Sequence, residues 1–407
     1  MKLPASMRAL DHRPFRMYFF GQGVSILGSW IQQVALAWLV YRLTGSAALL
    51  GLASFAALAP ILVVGPLAGA WIDRHDRRRL LMQVEVLLFI QAGALAALTW
   101  FGLIGPTLII LMSLSLGVLN AFETPLRQSL IPAMVGGRDD LPNALALNAM
   151  LFNLGRFVGP PVAGLMLGFV SEAVCFLLNA FSYLALLWGV AAMRLAANAT
   201  SGGSVGHVFK EGVRYALDTW PIRTLLIVLA LLNFTASAYA VLLPVFAKEV
   251  FHGDARTLGL LWGAAGCGAF AATLALATRS SVRGSLNLAV FCVLLAGLAL
   301  VVFPLTANLA IALPALAALG FGISGANVGI NTVMQIIAPD RLRGRVVSFF
   351  SSIRFGLDAV GGLLAGSVAA LAGAPATLLG ESAILLALCV WLLLRAGRLR
   401  QSLTRQT

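Results

Sequence analysis

Twelve apolar runs divide this chain of 407 residues, and each is close to the ~20 residues that an α-helix needs to cross a bilayer. Hydrocarbon offers the backbone no hydrogen-bonding partner, so each run must pair its own N–H and C=O groups as a helix. Only 11% of the residues are charged and 60% are hydrophobic, a balance that a soluble fold does not bury. The sequence therefore predicts an all-α membrane protein with twelve transmembrane helices, at approximately residues 15–40, 47–72, 80–101, 106–131, 143–168, 172–194, 222–247, 256–278, 286–304, 308–337, 346–371 and 375–395.

The basic residues predict how these helices are oriented. With the N-terminus placed in the cytoplasm, 23 of the 28 Lys and Arg residues fall in cytoplasmic segments and 3 fall outside, while Arg156 and Arg354 lie within helices. This asymmetry predicts that both termini are cytoplasmic. The net charge of +13 does not indicate nucleic-acid binding, because the charges form short clusters between the apolar runs.

The longest polar break separates six helices from six. It includes the flexible composition Ser-Gly-Gly-Ser at 201–204, followed at 205–217 by the mixture of charged and apolar residues that is typical of a short surface helix. We therefore predict an N-terminal six-helix half at 1–196, a cytoplasmic linker with a short amphipathic helix at 197–221, and a C-terminal six-helix half at 222–407.

The densest charge cluster follows the second run, at 69–79, and reads Gly-Ala-Trp-Ile-Asp-Arg-His-Asp-Arg-Arg-Arg. The pattern Gly-x-x-x-Asp-Arg-x-x-Arg-Arg-Arg between two hydrophobic segments resembles the loop between helices 2 and 3 of the major facilitator superfamily. Asp76 stands where that family usually has Gly. The resemblance implies a fold of two six-helix halves with a substrate site between them near mid-bilayer.

Further motifs extend the resemblance over nearly the whole chain. They include Phe-Glu-Thr-Pro-Leu-Arg-Gln-Ser at 122–129, Phe-Asn-Leu-Gly-Arg-Phe-Val-Gly-Pro at 152–160 and Gln-Ile-Ile-Ala-Pro-Asp-Arg-Leu-Arg-Gly-Arg at 335–345. These stretches look like the bacterial branch that contains the enterobactin exporter and many multidrug exporters. The resemblance implies export across the bacterial inner (cytoplasmic) membrane, driven by the proton gradient.

The resemblance implies that the 69–79 loop latches the two halves together on the cytoplasmic side. Asp73 would be stabilised at a helix N-terminus, that of helix 11, and Arg77 would pair with Glu123 on helix 4. The alternative is that the basic residues only hold the loop inside the cell. The latch candidates are Gly69, Asp73, Arg74, Arg77, Arg78 and Glu123.

Charged side chains at membrane depth are costly and mark functional candidates. Asp358 lies near the predicted midplane of helix 11, with Arg354 one turn before it. This pair is either a proton-binding carboxylate with an arginine that shifts its affinity, or a self-neutralising pair. Arg156 in helix 5 needs a carboxylate, an anionic substrate group or water beside it.

Three glutamates lie inside predicted helices and have different interpretations. Glu123 is a latch residue, an ion-pair partner of Arg127 four residues later, or a proton carrier. Glu85 and Glu381 are expected mainly to be interface or helix-start residues.

Helix 5 contains the stretch Gly-Arg-Phe-Val-Gly-Pro-Pro-Val-Ala-Gly at 155–164. It resembles the antiporter motif G-x-x-x-G-P of the superfamily, with the last Gly one place later than usual, and this implies an exporter. Small residues four apart also allow close helix packing in any membrane bundle, so both interpretations stay open. The motif residues are Gly155, Gly159, Pro160 and Gly164.

Amide side chains inside the apolar runs are the candidates for the polar lining of a substrate cavity. Each of these amides could equally well form a hydrogen bond between helices. The candidates are Gln22, Gln33, Asn120, Asn148, Asn153, Asn233 and Asn331. No G-x-x-x-x-G-K-[ST] phosphate loop occurs, the four cysteines have no metal-ligand spacing, and no catalytic constellation is visible. We therefore expect no cofactor, no metal and no enzyme activity.

These features and the resemblance together predict a secondary active transporter, and the resemblance implies that it is an exporter of the antiporter kind. We expect proton-coupled efflux of a lipophilic small molecule, either a drug-like compound or a siderophore, by alternating access in a monomer embedded in the lipid bilayer. The alternative is a proton-independent carrier of a lipid or metabolite. A non-transporting receptor or assembly factor would predict no charges at membrane depth and no latch.

Overall fold

A computed structural model of the chain describes residues 5–72, 74–136, 139–193, 218–277 and 282–404. Within these ranges twelve helices are long and apolar enough to cross a membrane, which confirms the all-α fold that the apolar runs predict. Their bounds are α1 Arg13–Thr44, α2 Ala47–Ile72, α3 Arg77–Trp100, α4 Pro106–Met134, α5 Leu141–Leu167, α6 Glu172–Ala191, α7 Trp220–Val245, α8 Ala255–Ala277, α9 Val282–Val302, α10 Leu309–Ile337, α11 Asp340–Ala372 and α12 Ala374–Thr404.

The helix ends follow from local chemistry. Gly45, with φ 60°, lies between α1 and α2, and Gly373, with φ 85°, lies between α11 and α12. Both φ values are in the left-handed region that favours glycine, so each glycine allows the chain to reverse within one or two residues. Asn308 caps α10, because its Oδ1 accepts a hydrogen bond from the Ala310 N–H at 2.8 Å.

Contacts divide the chain into two units. In unit 1, α1 packs on α5 and α6, and α3 packs on α4 and α6. In unit 2, α7 packs on α11 and α12, and α9 packs on α10 and α12. Unit 1 contains Met1–Thr44, Ala59–Gly203 and Asp254–Gly259, and unit 2 contains Gly45–Leu58, Ser204–Gly253 and Leu260–Thr407. The boundaries at 1–196 and 222–407 stay a prediction, and the predicted linker helix at 205–217 lies outside the described residues.

Polar contacts fix both ends of unit 1. At one end, the 3₁₀-helix Ala5–Asp11 precedes α1, and Arg8 Nε and His12 Nε2 lie 2.9 and 2.8 Å from the two carboxylate oxygens of Asp140, just before α5. At the other end, Arg42 Nε and Nη2 donate to the two carboxylate oxygens of Glu172 at 2.7 and 3.3 Å. This second pair joins the end of α1 to the start of α6, the helix with which α1 shares its longest interface.

Candidate functional site

Three charged side chains meet inside unit 1. Arg127 of α4 donates through Nη2 to Glu85 Oε1 of α3 at 3.3 Å, and it also forms an ion pair with Glu123 one turn earlier on its own helix. The exposed fractions of the side chains are 0% for Glu85, 9% for Glu123 and 8% for Arg127. A buried charge is tolerated only where it is paired, so these contacts explain how three ionisable groups are accommodated among apolar helices.

Polar side chains of α1 face the same region. They recur at alternating spacings of four and three residues, which places them on one face of the helix, and they are Tyr18, Gln22, Ser25, Ser29 and Gln32. Ser25 Oγ accepts a hydrogen bond from Arg127 Nη2 at 3.5 Å. We call these five residues the α1 polar stripe.

Neighbouring helices provide partners for the two ends of the α1 polar stripe. The Tyr18 hydroxyl donates to Asn148 Oδ1 of α5 at 3.3 Å. Asn179 Nδ2 of α6 donates to Gln32 Oε1 at 2.7 Å, and Tyr183, one turn along α6, interacts with Ser29. The stripe is therefore part of a hydrogen-bonded layer between α1, α5 and α6.

The α1 polar stripe and the three charged side chains include buried polar atoms without a hydrogen-bond partner among the described residues. They are both side-chain amide atoms of Gln22, Oε2 of Glu85 and Nε of Arg127. Gln22 lies between Tyr18 and Ser25 on α1, and its side chain is fully buried. Buried polar atoms are nearly always satisfied in folded proteins, so this concentration of exceptions marks a functional candidate.

The loop at 69–79 has two clear structural roles. Asp76 caps α3, because its Oδ1 accepts from the backbone N–H groups of Arg78 at 2.9 Å and Arg79 at 3.1 Å. Arg78 reaches the end of α6, where its Nε donates to Val190 O at 3.1 Å and its Nη2 donates to Ala191 O at 2.8 Å. The aspartate that departs from the usual family pattern thus starts α3, and Arg78 stabilises the carbonyl end of α6.

The structure describes the other latch candidates except Asp73. Asp73 lies outside the described residues. Arg74 is exposed, and Arg77 is half-buried at the first residue of α3. A Cβ built on Gly69 meets no described atom within 4 Å. The structure brings Glu123 to Arg127, one of the three interpretations that the sequence left open.

Three charged candidates for proton coupling are half-buried. Arg354 and Asp358 lie one turn apart on α11, and the Arg354 guanidinium is 5.7 Å from the centre of the Phe355 ring. Arg156 lies on α5 and forms no ion pair within the described part of the chain. Their roles stay predictions.

The antiporter-like motif of α5 makes close helix contacts within unit 1. A Cβ on Gly155 would overlap Ile26, and one on Gly159 would overlap Trp30, so both glycines allow α1 to approach α5 closely. At Gly164 an added Cβ would lie 2.7 Å from Gly259 Cα of α8. The carbonyl oxygen of Pro160 lies at the same helix crossing, because a Cβ on Gly259 would be 2.8 Å from that oxygen.

A second glycine crossing lies in unit 2. A Cβ on Gly51 of α2 would be 2.7 Å from Gly362 O of α11, and one on Gly366 would be 2.9 Å from Gly51 Cα. Each of the two crossings joins a helix of the first six to a helix of the second six, and backbones this close leave no room for a side chain.

The amides predicted to line a cavity occupy different environments. Gln22 belongs to the buried layer of unit 1, and Asn148 accepts from Tyr18. Asn233 is used structurally, because it exchanges hydrogen bonds with Asn327 of α10 at 3.1 and 3.3 Å. The remaining four are half-buried or exposed: Gln33 is exposed, Asn120 is half-buried, Asn153 donates to the backbone one turn earlier, and Asn331 accepts from Gln335.

Glu85 and Asn179 were not among the predicted site residues: Glu85 was expected mainly as an interface or helix-start residue, and Asn179 had no predicted role. Glu85 shares one buried face of α3 with Leu81, Leu88 and Ala92, at spacings of four, three and four residues. That spacing was available in the sequence, but the exposed face of α3 is also apolar, with Leu87 and Ile90. A helix that is apolar all round gives no indication of which face is buried.

Comparisons with known proteins agree with this architecture. The family model described as "Transmembrane secretion effector" matches residues 5–404. The chain is 29% identical to the staphyloferrin A transporter of Staphylococcus aureus over 85% of this chain and 87% of that protein. It is 28% identical to the multidrug efflux pump Tap of Mycolicibacterium fortuitum over 88% and 89% of the two chains.

Solved structures show the same fold at lower identity. A POT family transporter in complex with 5-aminolevulinic acid matches with a TM-score of 0.75 and 13% identity, covering 95% of this chain and 96% of that one. The family and the relatives are transporters rather than enzymes. This chain therefore belongs to the transmembrane secretion effector family and is a multi-pass transporter of the major facilitator superfamily.

Proposed function

We propose that this transporter is a proton-coupled exporter of a lipophilic small molecule, either a drug-like compound or a siderophore. The observation that carries the proposal is similarity over more than four-fifths of the chain to both a siderophore transporter and a multidrug efflux pump, with 85% and 88% of this chain covered. A major facilitator with such relatives takes a substrate of modest size through the bilayer without nucleotide hydrolysis.

Proton coupling is supported by the charges that the helices retain at membrane depth. A chain that only had to pack in lipid would lose little by replacing Glu123, Arg127, Arg354 and Asp358 with apolar residues, because buried charges are costly. In this proposal Asp358 binds a proton in one state and Arg354 shifts its affinity. Arg156, half-buried and without an ion pair among the described residues, meets an anionic group of the substrate.

Alternating access is supported by the glycine content of the two crossings. Contacts such as Gly164 with Gly259, and Gly51 with Gly362, involve backbone and no interlocking side chains. Helices that meet in this way separate and rejoin without rotamer changes, which suits a transporter that exposes its site to each side in turn. On the cytoplasmic side the 69–79 loop acts as the latch, with Asp73 and Arg77 as its contact residues.

We further propose that the protein is a monomer in the bacterial cytoplasmic membrane, with both termini in the cytoplasm. The distribution of basic residues supports this orientation, with 22 on the cytoplasmic side and 3 outside once the buried Arg127 is left out of the 23. It places the 69–79 loop and the start of α5 on the cytoplasmic side, and the Arg42–Glu172 pair on the outer side.

The test is drug and siderophore accumulation in bacterial cells that lack their own major efflux pumps and express this chain. Lipophilic cations, macrolides and iron-free siderophores form the panel. For one compound we expect lower accumulation with the chain than without it, and recovery of accumulation when a protonophore collapses the gradient. Asp358→Asn is expected to abolish the difference at equal expression.

Two outcomes would contradict the proposal. If no compound shows lower accumulation in expressing cells, the chain is not an exporter of these classes. If export persists in the presence of the protonophore while the membrane potential and the pH gradient are both absent, a proton-independent carrier of a lipid or metabolite replaces the exporter.

A further inference from the structure

The cluster in unit 1 has one carboxylate more than it has cations. Glu85 and Glu123 both contact Arg127, so the formal charge of the three groups is −1 when both carboxyls are ionised. All three side chains are nine-tenths buried or more, and an uncompensated charge in such a place is strongly disfavoured. One proton bound by the cluster brings its charge to zero.

We propose that the Glu85–Arg127–Glu123 cluster is a second proton-binding site of this transporter, in addition to Asp358, and that Glu85 carries its exchangeable proton. The inference rests on the proton coupling proposed above and deepens it, because coupling then also requires a residue outside the sequence motifs described above. Glu381, the buried glutamate of α12 in unit 2, contacts no arginine in the described part of the chain and serves as the comparison group.

The position of the proton follows from the hydrogen bonds. Glu85 Oε1 accepts from Arg127, whereas Glu85 Oε2 is buried and has no partner among the described residues. Oε2 is therefore the carboxylate oxygen that gains most from a proton. Uptake transfers one proton from hydronium to Oε2 and leaves water behind, and release returns the proton to water, so no redox partner is involved.

Within the described part of the chain, groups on three helices face Glu85. Arg127 of α4 contacts it and also pairs with Glu123, Tyr18 faces it from α1, and Tyr183 faces it from α6. Both tyrosines are neutral hydroxyl groups at ordinary pH, so among the described residues Arg127 is the cation that balances Glu85, and Glu85 shares this cation with Glu123.

The α1 polar stripe supplies hydrogen-bonding groups that lead to the cluster. Its five residues extend from Tyr18 to Gln32, fourteen residue steps or roughly 21 Å of helix at ~1.5 Å per residue. Within it, the fully buried Gln22 has two amide atoms without a partner among the described residues, one turn from Ser25, which itself contacts Arg127. In this proposal, protons reach Glu85 along this polar face of α1.

Proton binding also gives the cluster two discrete arrangements. With Glu85 ionised, Arg127 is shared between carboxylates on α3 and α4. With Glu85 protonated, Arg127 pairs with Glu123 alone, on its own helix. A change of partner between helices is the kind of two-state element through which a ligand shifts a conformational equilibrium.

The first test needs no substrate. Infrared spectra of purified protein in lipid nanodiscs are recorded across neutral pH, and the carbonyl band of protonated carboxylic acids is compared between variants. We expect Glu85→Gln to lose one component of this band. Glu123→Gln is expected to lose the same component, because the remaining Glu85–Arg127 pair is neutral without a proton. Glu381→Gln is the matched control and retains it. An unchanged band in both Glu85→Gln and Glu123→Gln overturns the assignment.

The second test measures coupling in proteoliposomes with the compound found in cells. Glu85→Gln and Glu123→Gln are expected to lose proton-driven accumulation but to retain exchange of labelled for unlabelled substrate, whereas Glu381→Gln keeps both. Proton-driven accumulation by both of the first two variants overturns this inference while the exporter stands. If the unmodified protein moves no protons with any compound, the proposed function fails instead, and the infrared comparison still decides whether the cluster holds a proton.

Discussion

Arg127 of α4 and Glu85 of α3 are separated by 42 residues in the chain, yet the Arg127 Nη2 donates to Glu85 Oε1 at 3.3 Å in the buried centre of unit 1. The contact explains why both helices retain a charge in a segment that is otherwise apolar. It also shows where unit 1 is most sensitive to substitution, because each member of the cluster depends on the others for its neutralisation.

Arg127→Met is expected to destabilise the protein at neutral pH by on the order of 3–5 kcal/mol, since it leaves two buried carboxylates without a cation. Acid should reverse part of this loss, because protonation removes the uncompensated charges of the variant. The measurement is the apparent Tm in detergent at about pH 5 and about pH 8, for the variant and the unmodified protein. Adding Glu85→Gln and Glu123→Gln to the variant should raise its Tm at the higher pH, and equal Tm values for all three proteins would contradict the role of the cluster.

Arg78→Gln is expected to lower the apparent Tm because it removes two charge-assisted hydrogen bonds to the last carbonyls of α6, a loss of about 1–2 kcal/mol. Arg79→Gln is the matched control, since its side chain is 80% exposed and its nearest carboxylate oxygen, on Asp76, is 3.6 Å away. Thermal unfolding in detergent compares the two variants. If they unfold together, the contact of Arg78 with α6 does not contribute to stability.

Gly164→Ala is expected to reduce transport while expression is retained, because the new Cβ would lie 2.7 Å from Gly259 Cα and 2.8 Å from Ala255 O. The two helices must separate to accept it, at a cost of about 1–3 kcal/mol. Gly93→Ala of α3 is the control, since its Cβ meets no described atom within 4 Å. The initial rate of substrate efflux from cells is the measurement, and equal rates for both variants would show that the crossing tolerates a wider spacing.

The proposed orientation predicts which loops are reached from each side of the membrane. In a protein without its four native cysteines, His75→Cys in the loop after α2 should react with an impermeant maleimide only in inverted vesicles. Ala307→Cys, between α9 and α10, should react only in intact spheroplasts. The reverse pattern would place both termini outside and would remove the latch from the cytoplasmic side.

The sequence was sufficient to predict the number and the approximate extent of the membrane helices, although α12 continues to Thr404, beyond its predicted end at 395. α2 covers Ala47–Ile72, as its apolar run indicates, because hydrocarbon forces every long apolar segment to be helical. Asp76 was recognisable as a departure from the family pattern, and its position just before α3 is that of an N-cap. These features depend on neighbours in the chain, which the sequence displays directly.

Contacts between distant segments were much harder to predict. The sequence offered Glu123 three partners or roles, and only the folded chain brings Arg127 and Glu85 together with it. Similarly, the sequence suggested that Gly159 allows close helix packing but did not indicate which residue packs against it, and the structure identifies that residue as Trp30. In lipid the buried and exposed faces of a helix are equally apolar, so the periodicity that identifies buried faces in soluble proteins is missing here.

Proton movement in inverted membrane vesicles tests the central claim, proton-coupled export, most directly. Vesicles that contain the protein are acidified inside by respiration, the gradient is followed with a pH-sensitive dye, and the compound identified in cells is added. We predict that the compound dissipates part of the gradient in these vesicles, and that it does not in vesicles with Glu85→Gln. Accumulation of the compound with no change in the gradient would contradict the account and favour a proton-independent carrier.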